Sequence, residues 1–221
     1  GVGRGYGYAG LLGGLISSTA VTLNFARRSR LEPDAGRGLA LGVVGACTVL
    51  VVRVLGITFV LNPATGWALL PPLLLPFLAG ALLTLWGFWA GPSAPDTPAE
   101  PFAPPANPLR LGSAIRLALL FQAAMMALAW VQHAFGEAGV LPLAALLGLT
   151  DMDALTLSMA RLGAEAPMTQ LAARAIILGI LSNTLLKFAV GMALGTSEFR
   201  RYAGAGLAWL AAVTGIAFVL A

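Results

Sequence analysis

Apolar runs of membrane-spanning length recur along this chain, at roughly 7–27, 38–61, 66–90, 112–135, 139–160, 171–194 and 202–221. Each is near the roughly 20 residues needed to cross about 30 Å of hydrocarbon. None keeps the strict alternation of a strand, and backbone groups in lipid must be satisfied within the segment, so the pattern predicts helices rather than barrel strands. The expected fold class is all-α, a polytopic integral membrane helical bundle with about seven transmembrane helices. The run 66–90 holds PPLLLP at 71–76 and could bend or re-enter, which leaves six or eight crossings as alternatives.

The apolar pattern stops at 91–110, GPSAPDTPAEPFAPPANPLR, which holds seven prolines. Such a stretch reads as an extended hydrophilic linker with polyproline character. It divides the chain into a first transmembrane repeat unit, 1–90, and a second, 111–221.

The two units share a segment. GLISSTAVTLNFARR at 14–28 aligns with GLTDMDALTLSMARL at 148–162. Gly14, Leu15, Ala20, Thr22, Leu23, Ala26 and Arg27 match Gly148, Leu149, Ala154, Thr156, Leu157, Ala160 and Arg161. Ser17, Ser18 and Thr19 stand opposite Asp151, Met152 and Asp153, and Asn24 stands opposite Ser158. With four crossings between their starts, both copies leave the same face, so two parallel pseudo-repeats are expected.

Composition agrees with a membrane protein and narrows the chemistry. The 221 residues are 58% hydrophobic and 10% charged, with mean hydropathy +0.87. A soluble domain carries about 25% charged residues. The net charge of +4 rests on too few charges for nucleic-acid binding and instead reports topology. Seven crossings place Arg27, Arg28, Arg30, Arg37, Arg110, Arg116, Arg161 and Arg174 on the cytoplasmic side and Arg4, Arg200 and Arg201 outside. The last pair dissents from the positive-inside rule. One cysteine excludes an intrachain disulfide, and one histidine excludes a multi-histidine metal site within the chain.

The candidate chemistry lies in the repeated segment. Asp151 and Asp153 fall near mid-membrane, where a carboxylate must be paired, protonated or metal-bound. On an unbroken helix they diverge by about 200°, so either the helix is distorted over 148–154 or the two have different tasks. Gly13, Gly14 and Gly148 permit such a break, which would free backbone carbonyls for an ion. Lys187 in ILSNTLLKFAV and Arg53 in VLVVRVLG are the charged candidates to pair with them, Lys187 foremost. The expected cation-binding or permeation set is Asp151, Asp153, Ser17, Ser18, Thr19, Thr22, Asn24, Thr156, Ser158, Asn183 and Lys187, with Asp151 and Asp153 as metal ligands. Oxygen donors of this kind suit hard cations. The leading expectation is a transporter or channel for a small cation, with divalent ions included. The alternative is a non-transporting structural or regulatory subunit. No catalytic constellation is expected, and no cofactor beyond a bound cation such as Mg2+.

The stretches GLLGGLISSTAVTLNFARRSR, VVRVLG, NPLRLGSAI, GLTDMDALTLSMARL and ILSNTLLKFAVG together resemble the C-terminal domain of MgtC/SapB-like bacterial membrane proteins, DUF4010. The resemblance runs over nearly the whole chain and is most specific at SSTA 17–20, NP 107–108, DMDA 151–154 and SNTLLK 182–187. It implies a multi-pass protein of the bacterial inner membrane and a link to metal homeostasis. It also implies an MgtC-like N-terminal domain or subunit as a partner, beside the expected lipid bilayer, small inorganic cation and second copy of the chain.

Overall fold

The computed structural model describes residues 2–90, 111–164 and 166–221. The expected linker 91–110 lies outside the described residues. Within them the chain is helical and holds no strand. The helices are α1 (Val2–Leu31), α2 (Gly36–Leu61), α3 (Pro63–Ala90), α4 (Leu111–Phe135), α5 (Val140–Thr150), α6 (Met152–Leu162), α7 (Thr169–Leu194) and α8 (Ser197–Leu220). Six stretches are long and apolar enough to cross a membrane: 5–31, 33–61, 63–89, 118–150, 169–194 and 197–220. α3 runs unbroken through Pro71, Pro72 and Pro76.

The first stretch does not run straight. At Ser17 the backbone leaves the helical region for φ −161°, ψ 106°, and the chain folds back. The Tyr6 hydroxyl donates to Glu32, 26 residues on. The Tyr6 and Phe25 rings stand 5.9 Å apart, edge to face, and the Arg28 guanidinium lies 5.2 Å from the Tyr6 ring centre. A straight helix would separate Tyr6 from Glu32 by about 39 Å. α1 is therefore a hairpin of two arms, 2–16 and 18–31. Each arm is about 21–22 Å long, short of the roughly 30 Å that a crossing needs.

The second copy is built the same way. α5 and α6 meet at Asp151, with φ −152°, ψ 111°. A Cβ placed on Gly179 of α7 would lie 2.0 Å from Leu155 Cδ2 and 3.6 Å from the Ala144 carbonyl. Eleven residues of straight helix would hold those two positions about 16 Å apart. α6 therefore returns along α5. α4 packs against both, after a turn at Gly136–Gly139 in which Gly136 takes φ +59°.

These returns bear on the expected architecture. Among the described residues six stretches are long and apolar enough to cross, against the seven expected, and the first of them doubles back on itself at Ser17. At the open end of hairpin one, Arg30 Nε donates to Leu194 O at the end of α7, 2.6 Å away.

By residue contacts the chain forms two compact units. One draws on 2–53, 75–90 and 184–213. Its core is Tyr6, Val21, Phe25, Leu39, Val43, Ala46, Phe199, Ala203 and Leu207. Hairpin one is seated there on a small-residue seam, where Gly10 meets Gly42 so closely that a Cβ would fall 2.2 Å from the Gly42 carbonyl oxygen. Such backbone approach replaces the hydrophobic drive that helices lack in lipid. The other unit draws on 54–74, 111–183 and 214–221. There Asn62 caps α3 by accepting from Thr65 N at 3.2 Å, just ahead of Pro63. Its Nδ2 donates to the Ala160 carbonyl at the end of α6, 3.0 Å away. Gly148 on Gly179 repeats the close seam, with a Cβ falling 2.5 Å from the Gly179 oxygen.

Candidate functional site

The candidate residues gather at the two hairpin tips, where the chain breaks at equivalent residues. The sequence register is 134 (148 minus 14), and Ser17 plus 134 is Asp151. Each of these two residues is extended and caps the arm that follows. Ser17 Oγ accepts from Ala20 N at 3.2 Å. Asp151 Oδ1 accepts from Ala154 N at 3.0 Å and Asp153 N at 2.8 Å. Serine and aspartate are preferred at this position because a side-chain oxygen satisfies amides that the first helical turn leaves open. The next polar layer repeats as well. Thr22 Oγ1 donates to Ser18 O at 2.9 Å, and Thr156 Oγ1 donates to Met152 O at 2.7 Å. The expected distortion over 148–154 is present and is centred on Asp151.

The tips differ in what meets the carbonyls ending the descending arm. In hairpin one, Arg53 Nη1 donates to the carbonyls of Leu15 and Ile16 at 3.1 and 3.0 Å, with Gly14 O at 3.4 Å. In hairpin two, the Gly148 carbonyl accepts from Asn183 Nδ2 at 2.8 Å, and Leu147 O accepts from Asp151 N and the Thr150 hydroxyl. Hairpin one therefore carries a positive charge where hairpin two carries a neutral amide. Sequence reasoning weighed Arg53 as a charged partner for the aspartates, behind Lys187, and not as a donor to these carbonyls. The close glycines Gly42 and Gly179 were legible only as glycines inside apolar runs.

Lys187 is fully buried. Its ammonium donates to Ser18 Oγ at 2.8 Å, on the ascending arm of hairpin one. The aspartate partner expected for it is replaced by a hydroxyl. Such a lysine is costly, because a neutral hydroxyl offsets little of an ammonium's lost hydration.

The remaining expected residues divide by burial. Thr22, Thr156 and Ser158 are fully buried, and each hydroxyl bonds a carbonyl of its own helix, Ser158 Oγ to Ala154 O at 2.7 Å. They serve packing locally. Thr19 and Asn24 are exposed, while Ser17, Asp151 and Asp153 are half-buried. Asn183 is buried, and its Oδ1 has no hydrogen-bond partner. Among the described residues, no group of three or more histidine, cysteine, aspartate or glutamate side chains comes together to hold a metal.

Two comparisons bear on this arrangement. A family model described as "Domain of unknown function (DUF4010)" matches residues 1–195. A relative from Aquifex aeolicus (strain VF5), described as an uncharacterized protein, is 28% identical over 194 residues, which cover 87% of this chain and 83% of the relative. Neither description mentions MgtC or SapB. No solved structure matches.

Proposed function

This chain belongs to the DUF4010 family, and we propose that it is a membrane transporter or channel for a small cation, with its hairpin tips handling the ion. The observation that carries this reading is the paired break at Ser17 and Asp151. Non-helical backbone at membrane depth is expensive and is tolerated where it is buried in protein or lines a path. Helices broken in this way leave carbonyls and amides for ions, a recurring device of transporters. Two copies broken at the same register, with an intramembrane carboxylate at one and a buried lysine beside the other, fit that device.

We place the chain in the bacterial inner membrane, with the end of hairpin one that holds Arg27, Arg28, Arg30 and Arg37 toward the cytoplasm. An MgtC-like domain or subunit is the partner we propose from the sequence resemblance. The reading involves no catalytic step. The test is flux: purified full-length chain in liposomes, challenged with a panel of monovalent and divalent cations with and without a pH gradient. Saturable uptake of at least one cation is expected. Absence of uptake for every cation overturns the reading.

A second reading has its own support. The hydroxyls of Thr22, Thr156 and Ser158 are all spent within their helices, as a non-transporting subunit would have them. It predicts no flux, and normal folding when Asp153 is changed to Asn.

A further inference from the structure

The geometry at the end of α5 points to a site for a monovalent cation, Na+ in class, formed by Asn183 Oδ1, the last carbonyls of α5 and Asp151. The inference rests on the transport reading for its purpose and on Asn183 for its chemistry.

Asn183 is the starting observation. It is only 3% exposed, and its amide orientation is fixed because the Gly148 carbonyl can only accept, so the nitrogen faces it. That leaves Oδ1, an acceptor with two lone pairs, buried and unpartnered. A buried acceptor without a donor costs about 1–3 kcal/mol, and such an atom in a native fold calls for an explanation. Because its own amide nitrogen lies 2.8 Å from Gly148 O, this oxygen sits beside the C-terminal end of α5.

That end is rich in the same kind of atom. The last four carbonyls of a helix have no partner within it. Those of Leu147 and Gly148 are taken, by Asp151 N with Thr150 Oγ1 and by Asn183. Leu149 and Thr150 follow at the exposed tip. Their carbonyls carry the negative end of the α5 dipole, whereas the matching carbonyls of hairpin one are bonded by Arg53. Asp151, the next residue, spends Oδ1 on the α6 amides.

The oxygens on offer are therefore one amide, helix-end carbonyls and the second oxygen of one carboxylate. The N-terminus of α6 offsets part of that carboxylate's charge, roughly half an elementary charge for a helix end. A set with less than two negative charges matches a monovalent ion. Mg2+ dehydrates reluctantly and wants carboxylates in near-octahedral array, and the described residues bring no such cluster together.

The test measures binding and flux on the same preparation. Purified full-length chain is titrated with NaCl against choline chloride at constant ionic strength, and thermal unfolding is followed by tryptophan fluorescence. A saturable rise in Tm with Na+, absent with choline and with Mg2+ at matched ionic strength, is expected. Asn183→Ala should raise the Na+ half-saturation tenfold or more. Asp151→Asn, which retains a capping oxygen and removes the charge, should do the same if Asn183→Ala fails to fold. Equal responses to Na+ and choline overturn the site, as does a larger response to Mg2+ than to Na+, or wild-type half-saturation in both variants. Mg2+ flux without Na+ binding overturns this inference and leaves the transport reading standing. Saturable Na+ binding without flux of any cation supports the site and removes the transport reading.

Discussion

Hairpins one and two share a backbone and differ in charge. Both break at the same register, cap the returning arm with the residue at the break, and seat on a neighbouring helix through a glycine. At the tip, however, hairpin one meets a guanidinium and lies beside a buried ammonium, whereas hairpin two carries Asp151 and meets an amide. Gly14, Ala20 and Thr22, retained in both copies at 134 residues' distance, preserve the way the chain turns back. The positions that changed, Ser17 against Asp151 and Thr19 against Asp153, are those that set the electrostatics. The shared residues make the fold and the divergent ones set its charge, so a variant at a shared position should damage stability in both hairpins alike. A variant at a divergent position should affect ion handling first.

The largest expected effect falls on the shared seam. Gly14→Ala would set a methyl 2.7 Å from Ala46 Cα and 3.0 Å from the Ala46 oxygen, and Gly148→Ala one 2.5 Å from the Gly179 oxygen. In both cases the obstacle is backbone and cannot rotate away. Each should cost about 1–3 kcal/mol or more, seen as a lower Tm and loss of the monodisperse peak in detergent. If one substitution is harmless while the other unfolds the protein, the two hairpins are not seated alike and the comparison breaks.

The caps should separate the hairpins by degree. Asp151→Ala removes an acceptor from two amides and should cost about 1–2 kcal/mol. Ser17→Ala removes one weaker bond of 3.2 Å and belongs at the low end, about 0.5–1 kcal/mol. Asp151→Asn keeps an oxygen for capping and should unfold close to wild type while losing cation uptake. Thermal unfolding of the three variants beside their flux checks this. Equal losses of stability for Asp151→Ala and Ser17→Ala would mean that the second bond at Asp151 contributes nothing.

The helical membrane class, the repeat and the intramembrane charges were legible in the sequence because hydropathy and residue identity carry them directly. The returns at Ser17 and Asp151 were not. A run of some 20 apolar residues satisfies a spanning criterion whether it crosses or doubles back, and only contacts such as Tyr6 with Glu32 or Leu155 with Gly179 tell the two apart. Similarly, the divergence of Asp151 and Asp153 on an ideal helix forecast a distortion, but not that the distortion would spend an Asp151 oxygen on capping. The partner of Lys187 was missed because a lysine and an aspartate in one apolar chain suggest an ion pair. Nothing local reveals a hydroxyl 169 residues away.

Lys187 gives the next prediction. A buried ammonium held by the Ser18 hydroxyl with the Cys47 thiol beside it adds little stability, and exchanging buried charges for packed apolar groups is often neutral or stabilising. Lys187→Met should thus unfold within about 1 kcal/mol of wild type or above it, and cation uptake should fall sharply. A strongly destabilised variant, or one with wild-type uptake, would make Lys187 a structural residue and remove the functional half of hairpin one's charge.

The smallest expected effect concerns the open ends, where the hairpins differ once more. Hairpin one is closed by a titratable clasp. Glu32 accepts from the Tyr6 hydroxyl and from Arg28, whose Nη2 lies 2.9 Å from Glu32 Oε1. The Tyr6 hydrogen bond first, and Arg28 beside it, hold the Glu32 carboxyl below its ordinary value of 4.5. At the open end of hairpin two the Asn62 amide, at the start of α3, donates to the Ala160 carbonyl of α6, and neither group titrates. A carboxyl depressed in the folded state contributes stability above its unfolded pKa and loses it as pH falls through the folded one. The clasp should therefore act fully at pH 7, weaken below about 4.5, and vanish at more acid pH. Other carboxylates titrate over the same window, so the useful quantity is the Tm difference between wild type and Glu32→Gln. It should be small at pH 7, because the glutamate side chain is 38% exposed and solvent screens the pair, and it should shrink to zero on acidification. Asn62→Ala should give a Tm difference that does not change over that range. A Glu32→Gln difference that is flat with pH would mean that Tyr6 holds the hairpin closed through its ring contact with Phe25 rather than through the carboxylate.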